Sequence, residues 1–204
     1  VSVPVRLVVW SDFLCPWCWV GATRLWRLVD EHAGRVELVW KSFLLRPHAD
    51  PNRTLEKFRA YTQTWARPAA EPDAPPFRIW QGDAGPPSHS VPPHLVAKAA
   101  AALGPDVERA VRGRLFEAYF AQNHDITNAE TLVGIWDGLD LPRDAFARAG
   151  DEASLEAVVA EHNEAVAQGL SGVPAVMLEG GDVAVPGALP YDTYAAWVRR
   201  LLTA

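Results

Sequence analysis

Cys15 and Cys18 are the only thiols in this chain, and Pro16 and Trp17 stand between them. A pair at that spacing can close on itself as a disulfide and pass two electrons to or from another one, because exchange proceeds by thiolate attack on a disulfide sulfur. The surrounding pattern favours this use. Val5 to Trp10 is a β-branched and aromatic run that reads as a buried strand, ended by Ser11 and Asp12. Trp19 to Val29 reads as a helix, with Val20, Ala22, Leu25, Trp26, Leu28 and Val29 along one side. Cys15 then falls at the start of that helix, where unpaired backbone N–H groups and the positive end of the helix dipole stabilise an anion. This makes Cys15 the expected nucleophile. Pro16 suits the first helical position, since its missing N–H would have no partner there. Cys18, one turn further on, can attack a mixed disulfide on Cys15 and is the expected resolving thiol.

Other uses of two such cysteines fit less well. A disulfide closing so small a loop restricts the unfolded chain little, and 204 residues can bury a core without one. A zinc site needs four ligands. The histidines at 32, 48, 89, 94, 124 and 162 are scattered, and there is no second cysteine pair, so no metal is expected. Inert core cysteines are disfavoured by the Pro-Trp between them and by the helix start.

The formal charge of −6 and the pI near 5.5 disfavour a nucleic acid or an anionic membrane surface as partner. No stretch reaches the roughly 18 apolar residues of a membrane span. The chain reads as cytoplasmic.

After the first helix, Ala33-Gly34 is a stop signal and Val36 to Trp40 a second strand, expected to run parallel to the first through a right-handed crossover. From Phe43 onward the periodicity is helical and interrupted by proline-rich loops. Helices are expected at 54–65, 94–103, 106–121, 128–139 (opened by a Thr127/Glu130 capping box), 142–149 and 152–168, and the loop from Pro68 to Pro76 is expected to be irregular. Strand signal returns at 175–178 and 183–185 around Gly180-Gly181, and Asp192 is placed to cap a last helix. The reading is an α/β thioredoxin-like core, residues 1–43 and 169–204, with a large inserted all-helical domain, residues 44–168. Val173-Pro174 heads the third strand. Taken alone this proline has no special meaning, since only about one X–Pro bond in twenty is cis in folded proteins.

The sequence resembles the DsbA-like thioredoxin superfamily and, within it, the FrnE-type dithiol–disulfide oxidoreductases. The resemblance rests on residues 11–21 around the cysteines, on Leu115 to Phe120 with Asp125-Ile126, on Gly169 to Pro174 and on Pro186-Gly187-Ala188. It implies Cys15 as nucleophile, Cys18 as resolving thiol and Val173-Pro174 as a cis-proline loop whose backbone receives a substrate strand. Two departures stand out. Val9 occupies the place of the buried acid that thioredoxins carry six residues before the first cysteine, leaving Asp12 or a water to accept the Cys18 proton. Ala175-Val176 follows the proline where relatives often have threonine and an aromatic residue.

Residues and resemblance together point to a thiol–disulfide oxidoreductase acting on protein or small-thiol disulfides, without a bound organic cofactor and with glutathione as a possible co-substrate. The similar 2-hydroxychromene-2-carboxylate isomerases and kappa-class glutathione transferases typically carry serine at the position of Cys15. They give the rival reading, a glutathione-dependent isomerase or transferase. A binding module that uses the acidic helical insertion is a third. Trp10, Trp26, Trp40, Trp136 and Trp197 are expected in the core, and Trp17 and Trp19 along a groove beside the thiols. His89 and His94 lie in or beside a proline-rich stretch that could approach the site, and each is expected to be a solvated histidine of the loop or its border.

Overall fold

The computed structural model describes residues 3–83 and 85–203. Its sheet has four strands in the order β2-β1-β3-β4: β1 (Val5–Ser11), β2 (Val36–Ser42), β3 (Ala175–Leu178) and β4 (Ala184–Pro186). β1 pairs parallel with β2, with Val9 beside Trp40 and Ser11 beside Ser42, and antiparallel with β3, which turns back on β4. The first crossover is α1 (Pro16–Glu31).

Alternation along β1 sends Leu7, Val9 and Ser11 to one face and Val8 and Trp10 to the other. The first face packs under α1 through Leu7, Val9, Cys18, Ala22, Leu25 and Leu28. The second packs with Phe43, Met177 and Ala165. Coverage on both faces is why β1 reads as an unbroken apolar run.

Among the described residues between β2 and β3 there are helices and loops but no strand: α2 (Leu55–Thr62), α3 (Ala66–Ala69), α4 (Val91–Ala101), α5 (Pro105–Phe120), α6 (Ala129–Asp137), α7 (Arg143–Ala147) and α8 (Glu152–Ala167). A last helix, α9 (Tyr191–Leu201), follows β4. Val111, Leu115, Phe116 and Phe120 of α5 and Tyr194 and Val198 of α9 join the core beneath α1, so the helical region and the sheet share one apolar interior.

Several helix ends differ from the sequence expectation, for local reasons. α4 begins at Val91 and takes Pro92 and Pro93 into its first turn, where proline gives up no hydrogen bond. Pro68 likewise lies inside the single-turn α3 and not in an irregular loop. α6 is capped by Asn128, whose Oδ1 accepts from the amides of Glu130 and Thr131 at 2.8 and 3.1 Å. Thr127 is engaged elsewhere, its Oγ1 donating to Asp125 and accepting from the Ser88 amide. Pro190, not Asp192, holds the cap position of α9, and Asp192 lies in its first turn, where its charge still opposes the dipole favourably.

Candidate active site

α1 begins three residues before its apolar periodicity shows, and this places the cysteines. Cys15 is its N-cap in extended conformation, with Pro16 first in the helix. The Cys15 sulfur accepts from the amide of Cys18 at 3.3 Å, and its thiol donates to the carbonyl of Val173 at 3.3 Å. A side chain that accepts at an N-cap satisfies one of the orphan donors of the first turn, and a thiolate does so better than a thiol.

Burial separates the two sulfurs. Cys15 is 6% exposed and Cys18 1%. Burial first, and then the neighbouring Cys15, push the Cys18 thiol well above its ordinary range, while the Asp12 amide and the Ser11 hydroxyl act the other way. A shielded thiol that is hard to ionise beside a thiol at the helix start gives the pair an order of reaction.

The loop between β1 and α1 is held by Asp12, which is fully buried. Its Oδ1 accepts from the Leu14 amide at 2.6 Å and its Oδ2 from the Leu45 amide at 2.7 Å. One carboxylate thus ties the cysteine loop to the segment leaving β2. Burial pushes the acid up to about 6, against the amides, the Ser90 hydroxyl and Arg46, all of which favour its charged form.

The Val173–Pro174 peptide is cis. The proline ring rests against α1 at Gly21, where a Cβ would come within 3.1 Å of Pro174 Cγ. Glycine at position 21 therefore sets how closely the loop approaches the cysteine helix. The Pro174 carbonyl accepts from the Gly187 amide at 2.7 Å. Beside Val173 lies an open hollow of about 510 Å³ whose walls include Gly169, Ser171, Gly172, Val173, Asp182 and Gly187.

The expected site residues Cys15, Pro16, Cys18, Val173 and Pro174 converge. Trp17, half-buried in the first turn of α1, packs on the edge of the core. Trp19 is buried, stacked on Phe120 at 5.7 Å and edge-on to Phe77 at 5.0 Å, so it anchors α1 to α5, and its edge lines an open hollow with Trp26, Arg109 and Gly113, none of them a residue of the cysteine loop. His94 is fully buried on α4, 4.9 Å from the Phe13 ring, and burial holds it neutral by pushing its pKa well down. His89 is partly buried beside the Ser88 hydroxyl.

Sequence reasoning did not single out Arg24, although it locks the site from behind. Its guanidinium, 3% exposed, donates to Asp73 and Glu71 and to the carbonyls of Ala188 and Leu189. The sequence signal was an arginine on the apolar side of an otherwise buried helix. Such a residue stays inside only when its donors are met.

A family model described as the DSBA-like thioredoxin domain matches residues 6–198. The chain belongs to the DsbA-like thioredoxin family. No curated protein is similar enough in sequence to count as a relative. Among solved structures, a probable DsbA oxidoreductase from Streptomyces coelicolor is 26% identical, with a TM-score of 0.75 over 96% of this chain and 89% of that one. The cytosolic disulfide reductase DsbM from Pseudomonas aeruginosa is 20% identical, with a TM-score of 0.75 over 98% and 97%, and has also been solved with GSH. A 2-hydroxychromene-2-carboxylate isomerase is 15% identical, with a TM-score of 0.65 over 96% and 95%. The last two likenesses are likenesses of fold. This DsbA-like chain has the sheet and helices of its family, and no helix among its described residues is long and apolar enough to cross a membrane.

Proposed function

We propose that this DsbA-like protein is a dithiol–disulfide oxidoreductase of the FrnE type that works in the cytosol through Cys15 as nucleophile and Cys18 as resolving thiol. The observation that carries the reading is the position of the Cys15 sulfur, capping α1 and meeting the Val173 carbonyl. A thiolate there attacks one sulfur of a substrate disulfide, forms a mixed disulfide and releases the other substrate sulfur as a thiol. Cys18 then attacks Cys15, freeing the second substrate thiol and leaving the Cys15–Cys18 disulfide. Well-oriented intramolecular groups reach effective concentrations on the order of 10⁵ M, so Cys18 outcompetes any external thiol for this step.

The Val173-Pro174 loop offers backbone groups beside the attacked sulfur, and in this reading it receives an extended stretch of substrate. No bound organic cofactor is called for, since the cysteines carry the electrons. Reduction of the oxidised pair by glutathione would close the cycle, a role consistent with the fold shared with DsbM, whose structure with GSH is known. The division into a core of residues 1–43 and 169–204 and a helical unit of 44–168 is part of the proposal, the helical unit framing one side of the site.

The test is exchange activity and partner capture with single variants. Cys18→Ser should retain partners as mixed disulfides on non-reducing gels, and Cys15→Ser should lose both capture and disulfide reduction. Captured polypeptides would mark a protein substrate, and glutathione alone a small-thiol enzyme. Full turnover by Cys18→Ser would instead fit a glutathione-dependent isomerase or transferase, which has no need of a second thiol.

A further inference from the structure

The segment that leaves β2 lies against the cysteine loop, because Asp12 of that loop accepts from both the Leu45 amide at 2.7 Å and the Leu14 amide at 2.6 Å. Arg46 comes next. Its amide donates to Ser90 Oγ at 3.1 Å, and its carbonyl accepts from the Ser90 amide at 2.7 Å. Further along the same segment, Arg53 donates through Nη1 to the Pro87 carbonyl at 2.6 Å and lies over the Phe58 ring at 4.6 Å. Residues 45–53 and 87–90 are thus bound side by side next to the cysteine loop, and both arginines are half-buried there. Neither is paired with a carboxylate among the described residues. The acids nearby are engaged: Asp12 by its two amides, Asp83 by Arg59, Asp125 by Thr127 and Asp50 by the Asn52 amide. The phenol of Tyr61 on α2 registers the same grouping. Partial burial and then Cys15 push it up, while Trp65, Arg53 and Arg46 act the other way.

We propose that Arg46 and Arg53 select the substrate, holding the carboxylates of a small anionic disulfide while its sulfur meets Cys15. The inference rests on the dithiol reading above. A guanidinium with no carboxylate of its own protein can give its charge-assisted hydrogen bonds to a substrate carboxylate, and its planar fork suits that group. The size of the substrate follows from charge. The chain as a whole stands at −6, which opposes a large acidic partner, whereas a small anion meets the local field of the two arginines within a Debye length of about 8 Å. The substrate is then gripped on two sides, its carboxylates by the segment after β2 and its disulfide between Cys15 and the Val173 loop.

The experiment measures, by stopped-flow tryptophan fluorescence, how fast small disulfides of different charge oxidise the reduced protein. The probes are 3,3′-dithiodipropionate, a dianion, bis(2-hydroxyethyl) disulfide, which is neutral, and cystamine, which is cationic. Comparing each variant with the wild type cancels the intrinsic reactivity of each disulfide. Arg46→Gln and Arg53→Gln should each lower the rate for the dianion, relative to the neutral disulfide, about tenfold, the effect of one charge-assisted hydrogen bond. Arg46→Lys and Arg53→Lys, which keep the charge, should recover part of that loss, and added salt should erode the wild-type ratio. Arg35→Gln removes the same charge beside Val36, at the end of the β1–β2 pair away from the cysteines, and should keep the ratio. An unchanged ratio in either glutamine variant would overturn the assignment. So would an equal fall in Arg35→Gln, or a loss for cystamine as large as that for the dianion. Each variant carries its own neutral reference, so a general loss of fold does not imitate the result. If none of the disulfides oxidised the wild type, the dithiol reading itself would fail; oxidation without any charge preference would defeat this inference alone.

Discussion

At the scale of single residues, the site depends on an inequality between two identical side chains. Cys15 caps a helix and Cys18 is enclosed, with burial holding its proton on. Alkylation of the reduced protein at mild pH should therefore mark Cys15 first, as peptide mapping would read; faster labelling of Cys18 would reverse the roles. Asp12 makes a second prediction. Its acid is raised from 3.8 to about 6 in the fold, so between those values the folded chain holds a proton the unfolded chain has lost. Its contribution is thus fully present below about pH 4 and is lost as pH rises through 6, by on the order of 3 kcal/mol. Urea denaturation at pH 4 and pH 7 should show the wild type losing that much relative to Asp12→Asn. Parallel behaviour of the two would show that Asp12 does not titrate in this range. The cysteines were legible because their chemistry lies in their spacing. Asp12 was read from the sequence as the end of β1 and as a possible acceptor of the Cys18 proton, but not as a tie to the segment after β2, since its partner Leu45 is 33 positions away.

At the scale of elements, the cysteine helix is positioned by what touches it on three sides: Trp19 against α5, Pro174 against Gly21, and Arg24 toward the loop after β4. Gly21 decides the second contact. Alanine there would gain helix propensity of about 1 kcal/mol while its Cβ meets Pro174 at 3.1 Å, so the two effects oppose. Valine removes the ambiguity. Gly21→Val should destabilise by about 1–3 kcal/mol through overpacking and should depress disulfide exchange further than that loss explains, because the displaced loop carries Val173. A melt combined with an exchange assay would show it, and unchanged activity would free the loop from its assigned role. Periodicity located these elements well and their ends less well. Thr127 and Asn128 are both able to cap, and the local bond of Thr127 to Asp125 together with the tertiary contact from Ser88, 39 positions away, decides between them. His94 looked like a loop residue because two prolines precede it. Prolines in a first turn look the same in sequence as prolines in a loop.

At the scale of the whole molecule, a chain with its sheet at both ends must hold the two ends together, and Arg24 does so. It joins α1 to residues 71 and 73 of the helical region and to the carbonyls at 188 and 189. The acidic partners are about a third exposed, so their share is screened. Arg24→Met should still cost about 1–3 kcal/mol, mostly through carbonyls left unpaired, and should speed amide exchange around residues 188–194. No change there would relegate the network to the surface. The insertion as a run of helices was readable from the loss of strand signal; that its aromatic residues share an interior with α1 was not, since Phe116 and Phe120 face Trp19 only once the chain has folded back. The most direct test of the account is the intact mass of each single-cysteine variant after brief exposure to oxidised glutathione. Cys18→Ser should gain one glutathione, mapped to Cys15, and Cys15→Ser should gain almost none in the same time. An adduct forming as fast on Cys18 of Cys15→Ser would contradict the assignment of the nucleophile.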